Sequence, residues 1–494
     1  MNRFYILFIL LVTLAVRPGY SQNLTDVVRW STLDYAGTAR TLGAGSSFGA
    51  MGGDFSVINI NPAGIADYRI SEFTFTPSLR SSKTDAYFVK DLAANTITKG
   101  TRLGLDNIGF VVAKNPGSNW TSSNFAIGYS RTADLQRKLY VEGDVPGSIT
   151  RYFSEQANGR IPDELDDFIA YPAYNTGAIF DFDDDNYYET DFDNYDGAVR
   201  RSQNISQKGG VNELSLAWAG EYKNDLSMGI SIGVPFSTYE EEKTYNESDA
   251  GDDIPAFNSL QYSERLTTTG VGFNFKAGFR YRIAQRIRLA GAFHSPTWNK
   301  YTDDYSSSMT YSYNDGENKE YSYDSPDGTF EYRITSPWRA IGSLGTTFTA
   351  GDLVGFVNAD VEYLDYTNAS YNGTAYDNSN EEQQWTNLVN NDIQRKLGTA
   401  TNLRLGGEIG YRNLRLRGGY SWERTAFNAD DFYNNKVSFG LGFREDNFFF
   451  DLGFRTAFYS EGYNPYVVLD SDLDPLVNIK TTRSRAALTL GFKF

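Results

Sequence analysis

The chain has 494 residues, 46 glycines, 15% aromatic residues, no cysteine and a formal net charge of −17. The lack of cysteine excludes disulfides, thiolate metal sites and cysteine nucleophiles. The acidic balance argues against nucleic acid as a partner, because phosphates need clustered Lys and Arg.

Met1-Asn2-Arg3 and the apolar run Phe4 to Val16 read as the basic and hydrophobic regions of a signal peptide. Gly19 and Ser21 occupy the small-residue positions of a cut before Gln22, so residues 1–21 are expected to be removed. The run is short for a spanning helix, and no later stretch approaches about 20 apolar residues. Residues 22–68 form the next unit. They lack alternation and carry Gly37, Gly43, Gly45, Gly49, Gly52, Gly53 and Gly64, which let backbone pass close to backbone. The sequence predicts a hatch, a plug folded inside a lumen, with a periplasmic tail as the alternative.

From residue 69 to 494 the pattern is one of alternating faces. Strands are expected near 70–88, 105–114, 121–132, 211–223, 226–240, 260–283, 286–313, 318–349 and 353–367. The segment 318–349 is read as one strand although it contains Ser336-Pro337. Five further strands follow. Leu403, Leu405 and Ile409 oppose Arg404 and Glu408; Leu414, Leu416 and Tyr420 oppose Arg415 and Arg417. Val437, Phe439 and Leu441 oppose Lys436 and Ser438, and Phe450, Leu452 and Phe454 oppose Asp451 and Arg455. In the closing strand, Ala486, Leu488, Leu490, Phe492 and Phe494 oppose Arg483, Arg485 and Lys493. Successive strand residues point to opposite faces, so each strand has one apolar surface and one wet surface.

Connections alternate in length. Short ones fall at 115–119, 223–225, 284–285, 350–352, 412–413 and 445–447. Longer ones fall at 89–104, 133–210, 241–259, 368–398, 426–434 and 460–480, with a brief 314–318 among them. About fourteen strands with this parity make an all-β fold, a transmembrane antiparallel β-barrel of the outer membrane of Gram-negative bacteria. The apolar faces then meet outer-membrane lipid. Roughly eight strands already fill a barrel with side chains, so fourteen leave a lumen to occupy.

Four patches in order resemble the FadL-type transporters of long-chain fatty acids and other hydrophobic compounds. They are Ala36 to Ala66 with Asn61-Pro62-Ala63-Gly64, Phe293-His294-Ser295-Pro296, Asp360-Val361-Glu362-Tyr363, and Leu416-Arg417-Gly418-Gly419-Tyr420. The resemblance implies a fourteen-stranded barrel plugged by the hatch and passive uptake of a hydrophobic ligand. It also implies sideways release through a gap in the wall, gated at Asn61, Pro62, Ala63 and Gly64. Two features depart from that family: the 133–210 loop is long and acidic, and the chain is longer than typical members.

Among inward-facing residues, Arg404, Arg415, Arg417, Arg455, Arg483 and Arg485 are candidate partners for a ligand carboxylate, against the alternative of ion pairs within the wall. Asp181, Asp183 and Asp185 space hard oxygens as a Ca²⁺ loop does, but Glu189 comes early for that pattern and a solvated acidic loop is favoured. His294, the only histidine, gives a haemin receptor little support. No cofactor or enzymatic activity is expected. Partners expected are the ligand, lipid and the barrel-assembly machinery, which would recognise the aromatic end of the last strand. The protein is expected to act as a monomer, and a protein-binding or secretion scaffold is the competing class.

Overall fold

In the computed structural model, the described residues are 21–494 apart from 36, 92–94, 118, 194, 196–197, 250, 252, 315–317, 375–378 and 430–432. Among them, nineteen strands join in one sheet. They are β1 (Glu72–Phe88), β2 (Thr96–Val112), β3 (Trp120–Asp134), β4 (Arg137–Pro146), β5 (Ala198–Tyr222), β6 (Leu226–Ser248) and β7 (Phe257–Arg282). β8 (Ile287–His294), β9 (Trp298–Asn314), β10 (Asn318–Asp324), β11 (Gly328–Thr335), β12 (Arg339–Ala350), β13 (Leu353–Asp365) and β14 (Ser370–Asn372) follow. β15 (Thr399–Tyr411), β16 (Leu414–Arg424), β17 (Tyr433–Arg444), β18 (Phe448–Tyr463) and β19 (Val477–Lys493) complete the set. The helices are α1 (Ser21–Ser31), α2 (Ala39–Gly43), α3 (Ile149–Ala157), α4 (Ala170–Thr176) and α5 (Asn380–Lys396). None of the described helices is long and apolar enough to cross a membrane.

β1 pairs with β19 from Glu72↔Lys493 to Phe88↔Val477, which closes the sheet into a barrel. The wall has fourteen staves. β8 continues into β9 and β11 into β12 as single staves, β14 prolongs β13, and β4 and β10 add to the long-loop end. Outward residues such as Leu405, Phe439, Leu452, Phe454 and Phe492 are exposed, while Arg404, Ser438, Asp451, Arg455 and Arg485 on the other face are buried. That is the lipid-out, polar-in pattern of a membrane barrel. Trp120, Trp218 and Tyr222 cluster near the short-turn end. Trp338 packs with Phe293 and Tyr363 higher up, as amphipathic rings do near a bilayer surface.

Several expected strands are corrected. The segment 318–349 is not one strand but β10, β11 and β12, and 286–313 is β8 plus β9. The cause is a repeated device at Ser295-Pro296, Ser325-Pro326 and Ser336-Pro337. Proline removes a ladder donor. In each case the preceding serine accepts a backbone N–H of the neighbouring stave on its Oγ, from Phe275 (3.0 Å), Ser307 (2.8 Å) and Thr297 (2.9 Å) respectively. The strand breaks while the stave continues, so the even count survives the split. The 133–210 loop is also not irregular throughout: it contains β4, α3, α4 and the first part of β5. Likewise 368–398 contains α5, whose Ser379 caps the helix by accepting from Glu382 N.

α3 and α4 form a cap on the long-loop end. Ile149, Phe153, Ala173, Ile179 and Phe192 bury against Tyr262, Met309 and Tyr311 of the tall β7 and β9. Glu247 of β6 fixes the start of α3 by accepting from Ile149 N (2.9 Å) and from Ser148 Oγ.

Candidate functional site

The N-terminal segment runs down the lumen from α1, level with the tall tyrosines of the wall, to Asp67 at the short-turn end. Its lower part is held by buried polar groups. Asp54 accepts from Thr38 Oγ1 (2.8 Å), Thr41 Oγ1 (3.0 Å) and Ser56 N (2.9 Å). Arg40 donates to Glu408 of β15 (2.9 Å), which also takes Arg417 of β16 (2.6 Å). Asp360 of β13 accepts from the amides of Phe48 (3.0 Å) and Gly49 (3.2 Å). Wall glycines let the backbone in: a side chain at Gly419 would run into the backbone of Ala44 and Gly45, and one at Gly229 into Pro62 and Ala63.

The Asn61-Pro62-Ala63-Gly64 motif starts a 3-10 turn, Pro62–Asp67. Asn61 caps it by accepting from Ala63 N (3.1 Å), and its Nδ2 donates to Gly49 O (2.8 Å) and to Phe279 O on β7 (3.2 Å). Beside it, His294 Nε2 lies 3.0 Å from Ile60 O, buried against the N-terminal segment. At the end of the turn Arg280 makes a two-pronged pair with Asp67. Burial alone would raise the Asp67 carboxyl, but Arg280, Arg288 and Arg69 hold it at about 2.

Between the N-terminal segment and the wall lies a cavity of about 160 Å³. Arg29, Arg80, Lys436, Arg455, Arg483 and Arg485 line it together with Asp34, Asp134 and Glu423, while Arg29 also pairs with Asp26 and Arg485 lies 3.8 Å from Asp106 behind the lining. Asp34 accepts from Arg455 (2.5 Å) and Lys436 (3.2 Å) and lies 3.2 Å from Arg485. Burial pushes its carboxyl up, but these three cations hold it well below the usual carboxylate range. Arg80 Nε, Arg483 Nε and Arg485 Nη1 are buried without a hydrogen-bond acceptor among the described residues. The cavity therefore carries unspent donors and a positive excess, which suit an anionic head group.

Of the six arginines singled out in the sequence, Arg455, Arg483 and Arg485 line this cavity. Arg404 instead pairs with Glu362 (2.6 Å), which also binds Arg339 (2.9 Å). Arg417 is spent on Glu408 and Asp451 (2.7 Å), and Arg415 bonds the carbonyls of Arg412 and Leu414 at a short turn. Sequence reading missed Arg80 and Asp34. Arg80 sits in alternation between Leu79 and Ser81, a signal that was available, whereas nothing in the sequence around Asp34 marks its partners. On the cap, Asp181 accepts from the amides of Asp185 (3.1 Å) and Asn186 (2.9 Å). Among the described residues, no three His, Asp or Glu side chains gather as a metal set.

The wall beside the cavity is incomplete. β2 pairs with β1 over nearly its whole length, but with β3 only from Asn107↔Ser130 to Val112↔Phe125. Above Asn107 its other edge has no ladder partner among the described residues until side chains of Thr96 and Thr98 reach the carbonyls of Tyr140 and Lys138 on β4. The break begins at a bulge where Asp106 is the extra residue against Thr76 and Pro77 of β1. Asp106 is fully buried, with Arg485 Nη1 at 3.8 Å. The Arg80 guanidinium lies against Gly104 at the same window.

No family model matches the sequence, and no curated relative does. Solved structures match across nearly the whole chain. The toluene transporter TodX of Pseudomonas putida is 12% identical with a TM-score of 0.51, covering 93% of this chain and 99% of its own. A FadL homologue of Pseudomonas aeruginosa is 13% identical at 0.53, covering 93% and 98%. The toluene transporter TbuX of Ralstonia pickettii is 11% identical at 0.50, covering 93% and 99%.

Proposed function

We propose that this outer-membrane barrel, which has the fold of the FadL-type channels, takes up hydrophobic small molecules passively. The observation that carries the reading is the placing of a basic cavity against an unpaired wall edge. Residues 1–21 act as signal peptide, residues 22–68 as hatch, and residues 69–494 as the conducting barrel. An amphipathic ligand such as a long-chain fatty acid fits this arrangement. Its carboxylate meets Arg80, Arg455, Arg483 and Arg485, and its tail leaves sideways between β2 and β3 into the bilayer. Displacement of the hatch around Asn61 to Gly64 opens that route. Passive release needs no cofactor, because an apolar tail moves down its own transfer free energy, about 0.8 kcal/mol per buried CH₂.

Cells lacking their own fatty-acid channel test the reading. Those expressing this chain should accumulate labelled oleate several-fold faster than an empty-vector strain, and Arg455→Ala with Arg485→Ala should remove most of the gain. Equal accumulation with and without the chain would refute it. Phe494, whose amide bonds Ser71 O (3.1 Å) where β19 closes on β1, serves assembly. Deleting it should lower the outer-membrane level and leave ligand selectivity unchanged.

A further inference from the structure

Outside the lumen, the lipid-facing wall from β17 to β2 is ordered in rungs. The first crosses five strands in register: Phe439, Phe454, Ala486, Leu79 and Leu103 lie side by side on the outer face. The phenylalanines and leucines are exposed, while Ala486 between them offers only a methyl group. The rung is therefore dented at its centre. An apolar groove of about 350 Å³ opens there on the lipid side.

Nearer the long-loop end the wall changes character. Thr456, Ser484, Ser81 and Thr101 form the next outward rung, with hydroxyl contacts between Thr456 and Ser484 (3.2 Å) and from Thr101 to Ser81 (3.4 Å). Beyond it Lys83 of β1 stands directly opposite Lys99 of β2, and Lys480 of β19 stands opposite Asp85. Asp85 pairs with Lys83 (3.2 Å), so three cations share one carboxylate. Like charges facing across a ladder are destabilising, which gives this rung a use for an anion. At about 3.3 Å per residue, Lys83 lies about 13 Å along β1 from Leu79, at the end of the barrel that faces away from the cell. The wall at β6 differs. It leaves the apolar band into Glu240 and Glu242, which stand opposite Lys208 and pair with Arg265 respectively and so are balanced.

We propose that this strip of wall is a binding site for a phosphate-bearing lipid of the outer leaflet. One acyl chain lies in the groove, the ester and hydroxyl groups meet the hydroxyl rung, and a phosphate sits on Lys83, Lys99 and Lys480. The order apolar, hydroxyl, cation along the strands is the order of parts in such a lipid, and hydrogen bonds from ammonium to phosphate are among the strong ones. A lysine near an anionic lipid surface strengthens binding about fivefold, so three lysines set against Asp85 should favour an anionic over a zwitterionic headgroup by about ten- to thirtyfold. The site lies outside the lumen and does not rest on the uptake reading.

The test is native mass spectrometry of the full mature chain, delipidated in detergent and titrated with diphosphoryl lipid A or with dioleoylphosphatidylethanolamine. Lipid A should be retained as a single bound copy at a concentration at least several-fold below that needed by the zwitterionic lipid. Lys83→Gln with Lys99→Gln and Lys480→Gln should abolish that preference. Ala486→Phe, which fills the dent and keeps the lysines, should weaken retention of lipid A several-fold, and Asp85→Asn should strengthen it. Equal retention of the two lipids by the wild-type chain, or an undiminished preference in the triple variant, would overturn the proposal. Displacement of lipid A by inorganic phosphate alone would mean a site for a free anion and would overturn it as well.

Discussion

From Thr38 to Asp67 the N-terminal segment is fastened to the wall by charge and backbone hydrogen bonds, whereas α1 meets the wall mainly through rings. Below, Arg40 on Glu408, Asp360 on two plug amides and Arg280 on Asp67 sit where water is scarce. Removing one member there leaves a buried charge, which is expensive. Above, Leu24, Val27 and Trp30 bury apolar surface against tyrosines, an attraction that is non-directional. One continuous segment thus has a charge-fastened anchor at the bottom and an apolar contact at the top. Asp34, with Arg455, Lys436 and Arg485 around it, marks the junction.

The contrast can be broken from its strong end first. Glu408→Ala leaves Arg40 and Arg417 without their shared carboxylate, so urea unfolding of the refolded barrel should show a loss of about 3–5 kcal/mol. A loss under about 1 kcal/mol would mean that the lower segment is not an anchor. Gly419→Val forces a side chain into Ala44 and Gly45 and should cost about 1–3 kcal/mol, with protease gaining access to residues 38–67. Acid gives a milder test. Asp67 is held at about 2 against an ordinary 3.8, so it contributes stability above about pH 4, and that contribution is lost as the pH falls toward 2. Asp67→Asn should flatten the stability profile between those values. The smallest effect belongs to the upper end. Val27→Ala should change global unfolding by less than about 0.5 kcal/mol, because α1 opens locally before the barrel does, while speeding hydrogen exchange of the α1 amides.

The barrel was legible because alternation is a local property. Val437 to Phe443 and Ala486 to Phe494 declare their lipid face residue by residue, and the parity of the turns follows. The Ser-Pro breaks were visible as prolines, but their effect was not, since the serine hydroxyl that restores the ladder bonds a different strand. The binding cavity was half legible for the same reason. Arg455, Arg483 and Arg485 are inward by alternation, yet so are Arg404 and Arg417. Only the three-dimensional neighbours Glu362, Glu408 and Asp451 separate a spent arginine from one facing space. The ring row beside α1 was invisible in sequence, because Trp30, Tyr301, Tyr332 and Tyr371 meet only when four distant segments converge.

The unpaired edge between β2 and β3 offers the most direct measurement. The chain has no cysteine, so Leu105→Cys with Thr132→Cys, two residues beyond the last Asn107↔Ser130 rung, can be joined by a short cleavable bis-maleimide. Lateral release predicts that oleate uptake by cells stops when the window is bridged and returns when the linker is cleaved. Uptake at the wild-type rate with the bridge intact would contradict it.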